Sequence, residues 1–357
     1  MTQSAFELPP DLLAFLRSPP ASAAERDTPD VFFDRPEIGR LYAQAQEPGQ
    51  TEAVLSACAA LLPEVHPNRA SLLALMGGAL VEDGADPAIL FPACHALLDV
   101  WLQELEPYCA EEVDEDDDEA EPEEVQAWAD AQARMKAVPQ ERRWEVETLQ
   151  QAVELLVLPM MAMVLRDERN HRAFLADDAL QARIYRLNRN GSLPFEQLHY
   201  LWLAANMSYE DELVVVLPAS GTGFVARAHA VNNGFHAFTL LQNLIREHGQ
   251  ALGVRQAIVD RAPPSEDNDS DTADFLWLQA PAYAGGELVN ELAWSWGEAP
   301  LRANAQKHGK RVLIGLDKGD ACSRSWAGFL GACHDAQNPH VAFKRYLTPE
   351  EVASYLQ

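Results

Sequence analysis

Apolar residues recur every three or four positions through about the first 205 residues, which is the spacing of amphipathic α-helices. Proline or glycine follows several of these apolar segments, as is typical of helix ends. One segment also has a clear start signal, because Asp86 provides an N-cap and Pro87 fits the first helical position. The pattern therefore predicts helices over 51–65, 71–84, 86–105, 123–137, 141–165, 171–188 and 194–207.

Near residue 210 the helical spacing gives way to the alternation of β-strands. The run ELVVVLP at 212–218 is rich in β-branched residues, ASGTG follows as a turn, and FVARAHAV at 224–231 alternates. Two strands joined by a glycine-containing turn predict a β-hairpin. One face of the second strand is predicted to carry Phe224, Ala226, Ala228 and Ala230, and the other Val225, Arg227, His229 and Val231.

After the hairpin the chain mixes helical and strand patterns. A helix is predicted over 235–249, and a last helix begins after Thr348, which acts as its cap. Further strands are predicted in FLWLQAP, ELVNELAWSWGE and KRVLIGL. The predicted fold class is α+β overall, with an N-terminal all-α helical bundle over residues 1–209 and a smaller C-terminal α+β domain with an antiparallel sheet over residues 210–357.

Negative charge is the feature of composition that changes this picture. The formal net charge is −28, while the 48% of hydrophobic residues is ordinary for a globular protein. Residues 111–124, EEVDEDDDEAEPEE, hold eleven carboxylates, and the chain without them still has a net charge of −17. Such a field repels nucleic acids and anionic membranes and attracts basic partners. Direct binding of nucleic acid is therefore not expected, and a basic protein is the expected partner.

The acidic stretch, predicted to be a mobile loop over 110–124, has three interpretations. It is a solvated loop kept open by self-repulsion, a surface that mimics the spacing of phosphates and binds a basic partner, or a calcium site. The calcium interpretation is the weakest, because the stretch lacks the D-x-D-x-D-G spacing and its central glycine. The candidate partner-binding residues in it are Glu111, Glu112, Asp114, Glu115, Asp116, Asp117, Asp118 and Glu119.

No motif predicts a catalytic residue, a metal ligand or a cofactor. The run LPASGTG at 217–223 is similar to a phosphate-binding loop, but a strand follows it and no lysine does, so it is interpreted as a hairpin turn. No histidine lies in an H-E-x-x-H pattern or at zinc-finger spacing. His199, His229 and His236 are interpreted as structural residues.

Cysteine usage and apolar runs indicate the compartment. The five cysteines are an odd number at widely spaced positions, and a chain of 357 residues needs no disulfide to stabilise its core. No early positively charged segment leads into an apolar run, so no signal peptide is predicted. The longest apolar run, 155–165, is too short to span a bilayer and contains a proline. These features predict a protein of the reducing cytoplasm.

Tryptophans mark the most distinctive part of the C-terminal region. In WSWGEAP the side chains of Trp294 and Trp296 are expected on one face of a strand, because side chains repeat every two residues there. Arg324, in RSW, is expected to stack on an indole or to pair with Glu298. These residues form either the core of the smaller domain or an aromatic and arginine anchor at a partner interface.

Several C-terminal runs resemble a widespread family of uncharacterised proteins. The matching runs are ELVVVLPASGTGFVARAHAVNNGFHAFTLLQNLI, WSWGEAP, GKRVLIGL, RSWAGF and LTPEEVASYL, and the resemblance covers roughly residues 145–357. It implies a strand–turn–strand–helix unit, a W-x-W-G-E-x-P strand and a closing R-S-W helix. Some bacterial members lie among toxin–immunity gene clusters, so the resemblance also implies an immunity function. No functional residues carry over from it.

Three functions are consistent with the sequence. The favoured hypothesis is a non-enzymatic cytoplasmic immunity protein, in the setting of type VI secretion, that neutralises a basic toxin by direct binding. Its predicted contacts are the acids of 111–119 with Trp294, Trp296 and Arg324. One alternative is an enzyme of unknown reaction whose site lies in the cleft between the two domains, since catalytic groups need not be near in sequence. The other is a structural adaptor.

Overall fold

The chain divides into two compact units, Met1–Ala205 and Asn206–Gln357, which we call the helical unit and the sheet unit. The boundary predicted from the sequence was near residue 209. The fold class is α+β, with N-terminal helices followed by a C-terminal sheet. The structure, a computed structural model, describes residues 8–110, 121–189, 191, 193–231, 233–260, 277–279, 283–284, 287–288, 300–303, 306–316 and 339–357.

Every regular element described in the helical unit is a helix or a short 3-10 turn. The predicted helical class of this region is therefore confirmed, and four short helices precede the first one predicted individually. The helices are α1 (Pro10–Arg17), α2 (Ala23–Asp27), α3 (Pro29–Phe33), α4 (Pro36–Ala45), α5 (Thr51–Leu61), α6 (Pro67–Glu82), α7 (Phe91–Leu105), α8 (Pro122–Ala137), α9 (Gln140–Arg166), α10 (Glu168–Ala176), α11 (Asp178–Asn188) and α12 (Leu198–Asn206).

The helical unit is built around the pair α6 and α9. A Cβ atom on Gly78 of α6 would lie 2.8 Å from Cβ and 2.9 Å from Cα of Pro159 in α9, so glycine is what allows the two helices to approach this closely. Pro159 itself lies inside α9, where it lacks the N–H of a regular helix. Leu156 and Met160, on either side of it, are fully buried. The crossing point is therefore specified by small and rigid residues rather than by charge.

Helix α9 contains a long apolar stretch. Its segment Arg142–Arg166 is long and apolar enough to cross a bilayer by length and composition, and 72% of the most apolar stretch is buried inside the protein. A core helix of a globular protein meets the same criteria. The packing of α9 against α6 and α7 accounts for its apolar character.

Two helix boundaries differ from the prediction because side chains bond to nearby backbone. Helix α7 begins at Phe91 rather than at Asp86, since Asp86 Oδ1 accepts a hydrogen bond from the N–H of Ala88 (2.9 Å) and forms a turn instead of a helix cap. The helix predicted over 171–188 is two helices that separate at Asp177. Its carboxylate accepts a bond from the N–H of Leu180 (3.1 Å) and starts α11.

In its described residues the sheet unit contains one mixed sheet and one small hairpin. Its strands are β1 (Asp211–Leu217), β2 (Thr222–His229), β3 (Trp277–Gln279), β4 (Tyr283–Ala284), β5 (Glu287–Leu288), β6 (Gln306–Lys307), β7 (Lys310–Leu316) and β8 (His340–Tyr346), and its helices are α13 (Gly234–His248), α14 (Gln256–Val259) and α15 (Pro349–Leu356). The main sheet has the order β3-β7-β1-β2-β8, β6 pairs with β7, and β4 pairs with β5.

The predicted hairpin is confirmed, and the prediction of a purely antiparallel sheet is wrong at one pair. Strands β1 and β2 pair antiparallel, with Val215 opposite Phe224. Strand β7, in contrast, pairs with β1 in parallel, with Val214 opposite Val312. The long connection between β1 and β7 contains α13, and parallel pairing needs a crossover of this kind.

Helices cover both faces of the main sheet. On one face, α13 packs its apolar side chains on Leu213, Val215, Phe224, Ala226 and Ala228. On the other face, Val352 of α15 packs on Val214, Val216, Val225, Val312 and Ile314.

The alternation predicted for the second strand of the hairpin holds as far as Ala228. It then fails for Val231, which was predicted on the face of Val225 but lies in the cluster under α13. The cause is Ala230, whose φ of 53° is in the left-handed region and reverses the direction of the next side chain.

The other elements predicted for this unit match in the described residues. The helix predicted over 235–249 is α13, and the strands predicted in FLWLQAP and KRVLIGL are β3 and β7. Of ELVNELAWSWGE only Glu287–Leu288 is described, and the remaining positions lie outside the described residues. Thr348 caps α15 as predicted, because its hydroxyl accepts the N–H of Glu351 (3.2 Å).

Candidate functional site

The predicted partner contacts lie outside the described residues, namely Glu111, Glu112, Asp114, Glu115, Asp116, Asp117, Asp118, Glu119, Trp294, Trp296 and Arg324. The two flanks of the acidic stretch are described. On one side the C=O of Ala110 accepts the N–H of Gly191 (3.0 Å). On the other side Glu124 accepts the N–H of Glu121 (3.4 Å) at the start of α8. Both flanks are therefore bonded within the helical unit.

The helical unit has an open groove, which we call the acidic groove. It encloses about 700 Å³ between the C-terminal ends of α4 and α6 and the beginning of α5. Two glycines with positive φ, Gly49 (79°) and Gly84 (106°), form the turns beside it. Its lining residues are Ala45, Gln46, Gly49, Thr51, Glu52, Leu80, Asp83, Gly84, Ala85 and Asp86.

The chemistry of the acidic groove favours cations. Three exposed carboxylates, those of Glu52, Asp83 and Asp86, line it, and no lysine or arginine does. Carbonyl groups at the ends of two helices add partial negative charge, and Glu52 offsets the opposite charge at the start of α5. Tyr42 donates a hydrogen bond to Asp83 Oδ2 (3.2 Å), and burial together with this carboxylate raises the pKa of Tyr42.

Cations close to the groove are engaged by acids of their own. Arg166 Nη1 lies 3.9 Å from Glu82 Oε1. Arg169 bonds to Asp167, with Nη2 2.7 Å from Oδ2. In the part of the chain that the structure describes, no group of three or more His, Cys, Asp and Glu residues is placed to hold a metal ion. The groove therefore offers oxygen acceptors suited to a cationic side chain.

The sheet unit carries a second group of polar residues, which we call the sheet cluster: Tyr209, Glu210, Arg227, His229 and His340. Glu210 Oε2 lies 3.0 Å from Arg227 Nη1, and Glu210 Oε1 lies 3.4 Å from His229 Nδ1. The imidazoles of His229 and His340 have ring centroids 5.4 Å apart, and Tyr209 meets His229 edge-on at 4.9 Å. One carboxylate therefore links a guanidinium and the first of two adjacent imidazoles.

Backbone geometry brings these side chains together. His229 and His340 are directly opposite each other on the antiparallel strands β2 and β8, so both project from the same face of the sheet. Arg227 precedes His229 by two residues and shares that face. It is the face on which α15 packs, so the sheet cluster occupies the polar end of a surface whose other end is apolar core.

Strained backbone surrounds the sheet cluster. Glu210 (φ 58°) and Ala230 (φ 53°) are non-glycine residues in the left-handed region. Two backbone bonds of 2.8 Å join Ser208, two residues before Glu210, to the segment of Ala230: Ala230 N–H donates to Ser208 C=O, and Ser208 N–H donates to Val231 C=O. Such a conformation costs about 1–3 kcal/mol per residue. The exposed pair of Glu210 and Arg227 contributes at most about 1 kcal/mol, so it does not offset the strain.

The ion pair of the sheet cluster is exposed to solvent, and His229 beside it is half-buried. The side chain of Arg227 is 43% exposed, that of Glu210 36% and that of His229 14%. On the neighbouring strands Glu212 and Lys310 form a further ion pair on the same face.

Sequence reasoning missed most of the sheet cluster. His229 was interpreted as a structural residue, and His340, which lies opposite it on β8, was not singled out. The alternation of FVARAHAV was the available signal, because it already placed Arg227 and His229 side by side. The sequence contains no comparable signal for the pairing of β2 with β8.

The three described cysteines show no sign of reactivity. Cys58 and Cys94 are fully buried and Cys109 is half-buried, and all three are free thiols. Burial raises the pKa of Cys58 to about 12 and raises that of Cys94 further still. Burial and the carboxylate of Glu106 raise the pKa of Cys109 to about 12. These thiols are therefore protonated at neutral pH, and the thiolate is the reactive form.

Comparison with known proteins does not assign the chain to a family. No family model matches the sequence. Searches of curated proteins and of solved structures also find no match. The resemblance of the C-terminal runs to an uncharacterised family therefore stays a prediction.

Proposed function

We propose that this protein is a cytoplasmic immunity protein that binds a basic toxin and neutralises it. The observation that carries the proposal is the acidic groove, an open concavity lined by three carboxylates and by no lysine or arginine. The net charge of −28 supports it, because a strongly negative chain attracts basic partners over distances beyond direct contact. The eleven carboxylates of residues 111–124 contribute to this negative charge.

The lining of the groove suits lysine or arginine side chains of the toxin. Leu80 and Ala45 provide a buried apolar floor for its methylene groups, and Asp83 and Glu52 accept hydrogen bonds from its charged end. A toxin that acts on nucleic acid needs such cations to bind phosphates, so covering them would block its substrate. Charge complementarity of this kind raises the association rate more than the lifetime of the complex.

The experiment measures association with the product of the gene immediately upstream. Binding rates of the wild type are compared with those of the triple variant Glu52→Gln, Asp83→Asn and Asp86→Asn at increasing salt. We expect the triple variant to associate about tenfold more slowly at low salt and to lose part of the salt dependence. The dissociation rate should change less. Growth of cells that express the upstream protein should depend on co-expression of the wild type.

A second triple variant provides the matched control. Glu104→Gln, Asp34→Asn and Asp178→Asn remove the same charge from exposed positions that do not line the groove. An equal decrease of the association rate in both triple variants would mean that binding depends on the total charge and not on the groove. An upstream protein that is harmless when expressed alone would contradict the immunity function itself.

A further inference from the structure

Two imidazoles on one face of a sheet can move two protons in one reaction. His229 and His340 have ring centroids 5.4 Å apart, and their ring planes differ by 32°. A phosphoryl group whose oxygens each accept a hydrogen bond of about 2.8 Å bridges imidazoles at about this separation. The pair is therefore spaced for one general base and one general acid acting on the same phosphorus centre.

The other members of the sheet cluster hold this pair and assign its roles. Glu210 lies 3.4 Å from Nδ1 of His229, and a carboxylate at that nitrogen stabilises the imidazolium that forms when His229 accepts a proton at its other nitrogen. Tyr209 fixes the plane of the ring by an edge-on contact at 4.9 Å. His229 is thus the base, Glu210 is a positioning residue, and His340 is the acid.

The cations of the cluster suit a single negative charge. Arg227 bonds to Glu210 through Nη1, and its side chain is 43% exposed, so further N–H groups of the guanidinium can reach an anion. Lys310 lies on the same face and is paired with Glu212. A long polyanion is repelled by the net charge of −28, whereas a small diester with one phosphate is repelled much less.

We propose that the sheet cluster is a general acid–base site that hydrolyses small phosphodiesters, such as cyclic nucleotides. A water oxygen forms the new bond to phosphorus while His229 takes a proton from that water. The ester P–O bond breaks with its electron pair on the leaving oxygen, which receives a proton from the imidazolium of His340. The products are a phosphomonoester and a hydroxyl group, and water is the only co-reactant.

Turnover of 2′,3′-cyclic AMP and of bis(p-nitrophenyl) phosphate by the full-length chain tests this activity. We expect a bell-shaped pH–rate profile for the wild type. The variants His229→Gln and His340→Gln should each lose about 10²- to 10⁴-fold in kcat. His248→Gln is the matched control and should retain full activity, because His248 stacks on Phe343 at 3.9 Å on the opposite face of the same sheet. Absence of wild-type turnover with both probes, or equal turnover by all variants, would overturn the activity.

The positioning role of Glu210 can be tested separately through kcat, KM and the pH–rate profile. Glu210→Gln should lower kcat with little change in KM, and it should move the acidic limb of the profile to lower pH, because the imidazolium of His229 loses its stabilising charge. A role limited to stability would leave that limb in place.

A measurement on the wild-type protein tests the site without depending on whether the variants fold. Titration with inorganic phosphate should shift the NMR signals of His229 and His340 and leave those of His248 unchanged. Uniform shifts, or none, would overturn the site. This activity belongs to the sheet unit and is independent of toxin binding. The groove variant Glu52→Gln, Asp83→Asn and Asp86→Asn should keep full turnover, so either function can fail alone.

Discussion

One arginine in each unit shows a contrasting way of placing a charged group. In the helical unit Arg69 is 1% exposed, its Nη2 lies 2.6 Å from Glu25 Oε2, and its guanidinium stacks on Phe15 at 4.4 Å. In the sheet unit Arg227 is 43% exposed and bonds to a glutamate with strained backbone. The first arrangement fills space inside the fold. The second adds little to stability and retains strain, which is typical of residues kept for chemistry.

The difference separates structural charge from functional charge. Arg183 of the helical unit repeats the first pattern, since it is 13% exposed and its Nε lies 3.2 Å from Glu106 while its Nη1 contacts Asp99. Removing one partner of a buried pair leaves the other uncompensated. The same change at an exposed pair lowers the unfolding free energy by at most about 1 kcal/mol. Stability measurements on matched arginines therefore test the comparison directly.

The largest effect is expected from Arg69→Ala. The substitution deletes a side chain that is 1% exposed, together with its ion pair to Glu25 and its contact with Phe15, so the helical unit should lose about 3–5 kcal/mol of unfolding free energy. Arg227→Ala, the matched change in the sheet unit, should cost less than about 1 kcal/mol. Native-state hydrogen exchange assigns each loss to its unit. Equal losses of unfolding free energy from the two substitutions would contradict the contrast between the buried and the exposed arginine.

The next effect tests whether the core of the helical unit depends on close packing and not on charge. Gly78→Val places side-chain atoms against the backbone of Pro159, where even a Cβ atom would lie 2.9 Å from Cα, and should cost about 3 kcal/mol. Gly39→Ala in α4 is the control, because a Cβ atom there meets nothing within 4 Å. It should gain about 0.5–1 kcal/mol from helix propensity. Thermal unfolding measures both, and similar melting temperatures for the two variants would contradict this account.

Features controlled by neighbouring residues were predictable from the sequence. The hairpin followed from the alternation of FVARAHAV and its glycine-containing turn, and the start of α15 followed from Thr348 and the glutamate three residues later. The class of each unit followed from the change of period near residue 210. All of these depend on contacts between residues that are close in the chain.

Features controlled by distant partners were not predictable. The parallel pairing of β1 with β7 depends on a crossover, and the meeting of His229 and His340 depends on the pairing of β2 with β8. The acidic groove depends on three helix ends that converge in space. The reversal at Ala230 depends on backbone bonds to Ser208 that no pattern of side chains encodes.

A smaller effect is expected when backbone strain in the sheet unit is relieved, because the unfolding free energy should then increase. Ala230→Gly relieves a φ of 53° at the cost of a more flexible unfolded chain, so the net gain should be about 0.5–1 kcal/mol. Ala228→Gly is the matched control in β2, where the backbone is extended and the change should cost about 1 kcal/mol. Denaturant unfolding that follows the sheet unit measures both. Destabilisation by both changes would mean that Ala230 is unstrained.

The smallest effect concerns pH and an exposed pair of the sheet unit. Arg345 Nη2 lies 2.7 Å from Glu351 Oε1, and the N–H of Thr348 donates to the same carboxylate (2.8 Å). The guanidinium first, and then this N–H, lower the pKa of Glu351 to about 2. A carboxyl group with a lowered pKa stabilises the fold above its unfolded pKa of about 4.3 and loses this contribution as the pH falls toward 2.

Unfolding of the sheet unit followed from pH 6 to pH 2 should therefore show a loss of stability that starts near the unfolded pKa of about 4.3. Glu351→Gln should flatten this part of the curve, and Arg345→Gln should do the same because it removes the partner. High salt should weaken the dependence, since the pair is exposed and screened. A curve unchanged by both variants would show that other acids control the pH response, and the charges of this helix start would then resemble the inert surface pairs found on many proteins.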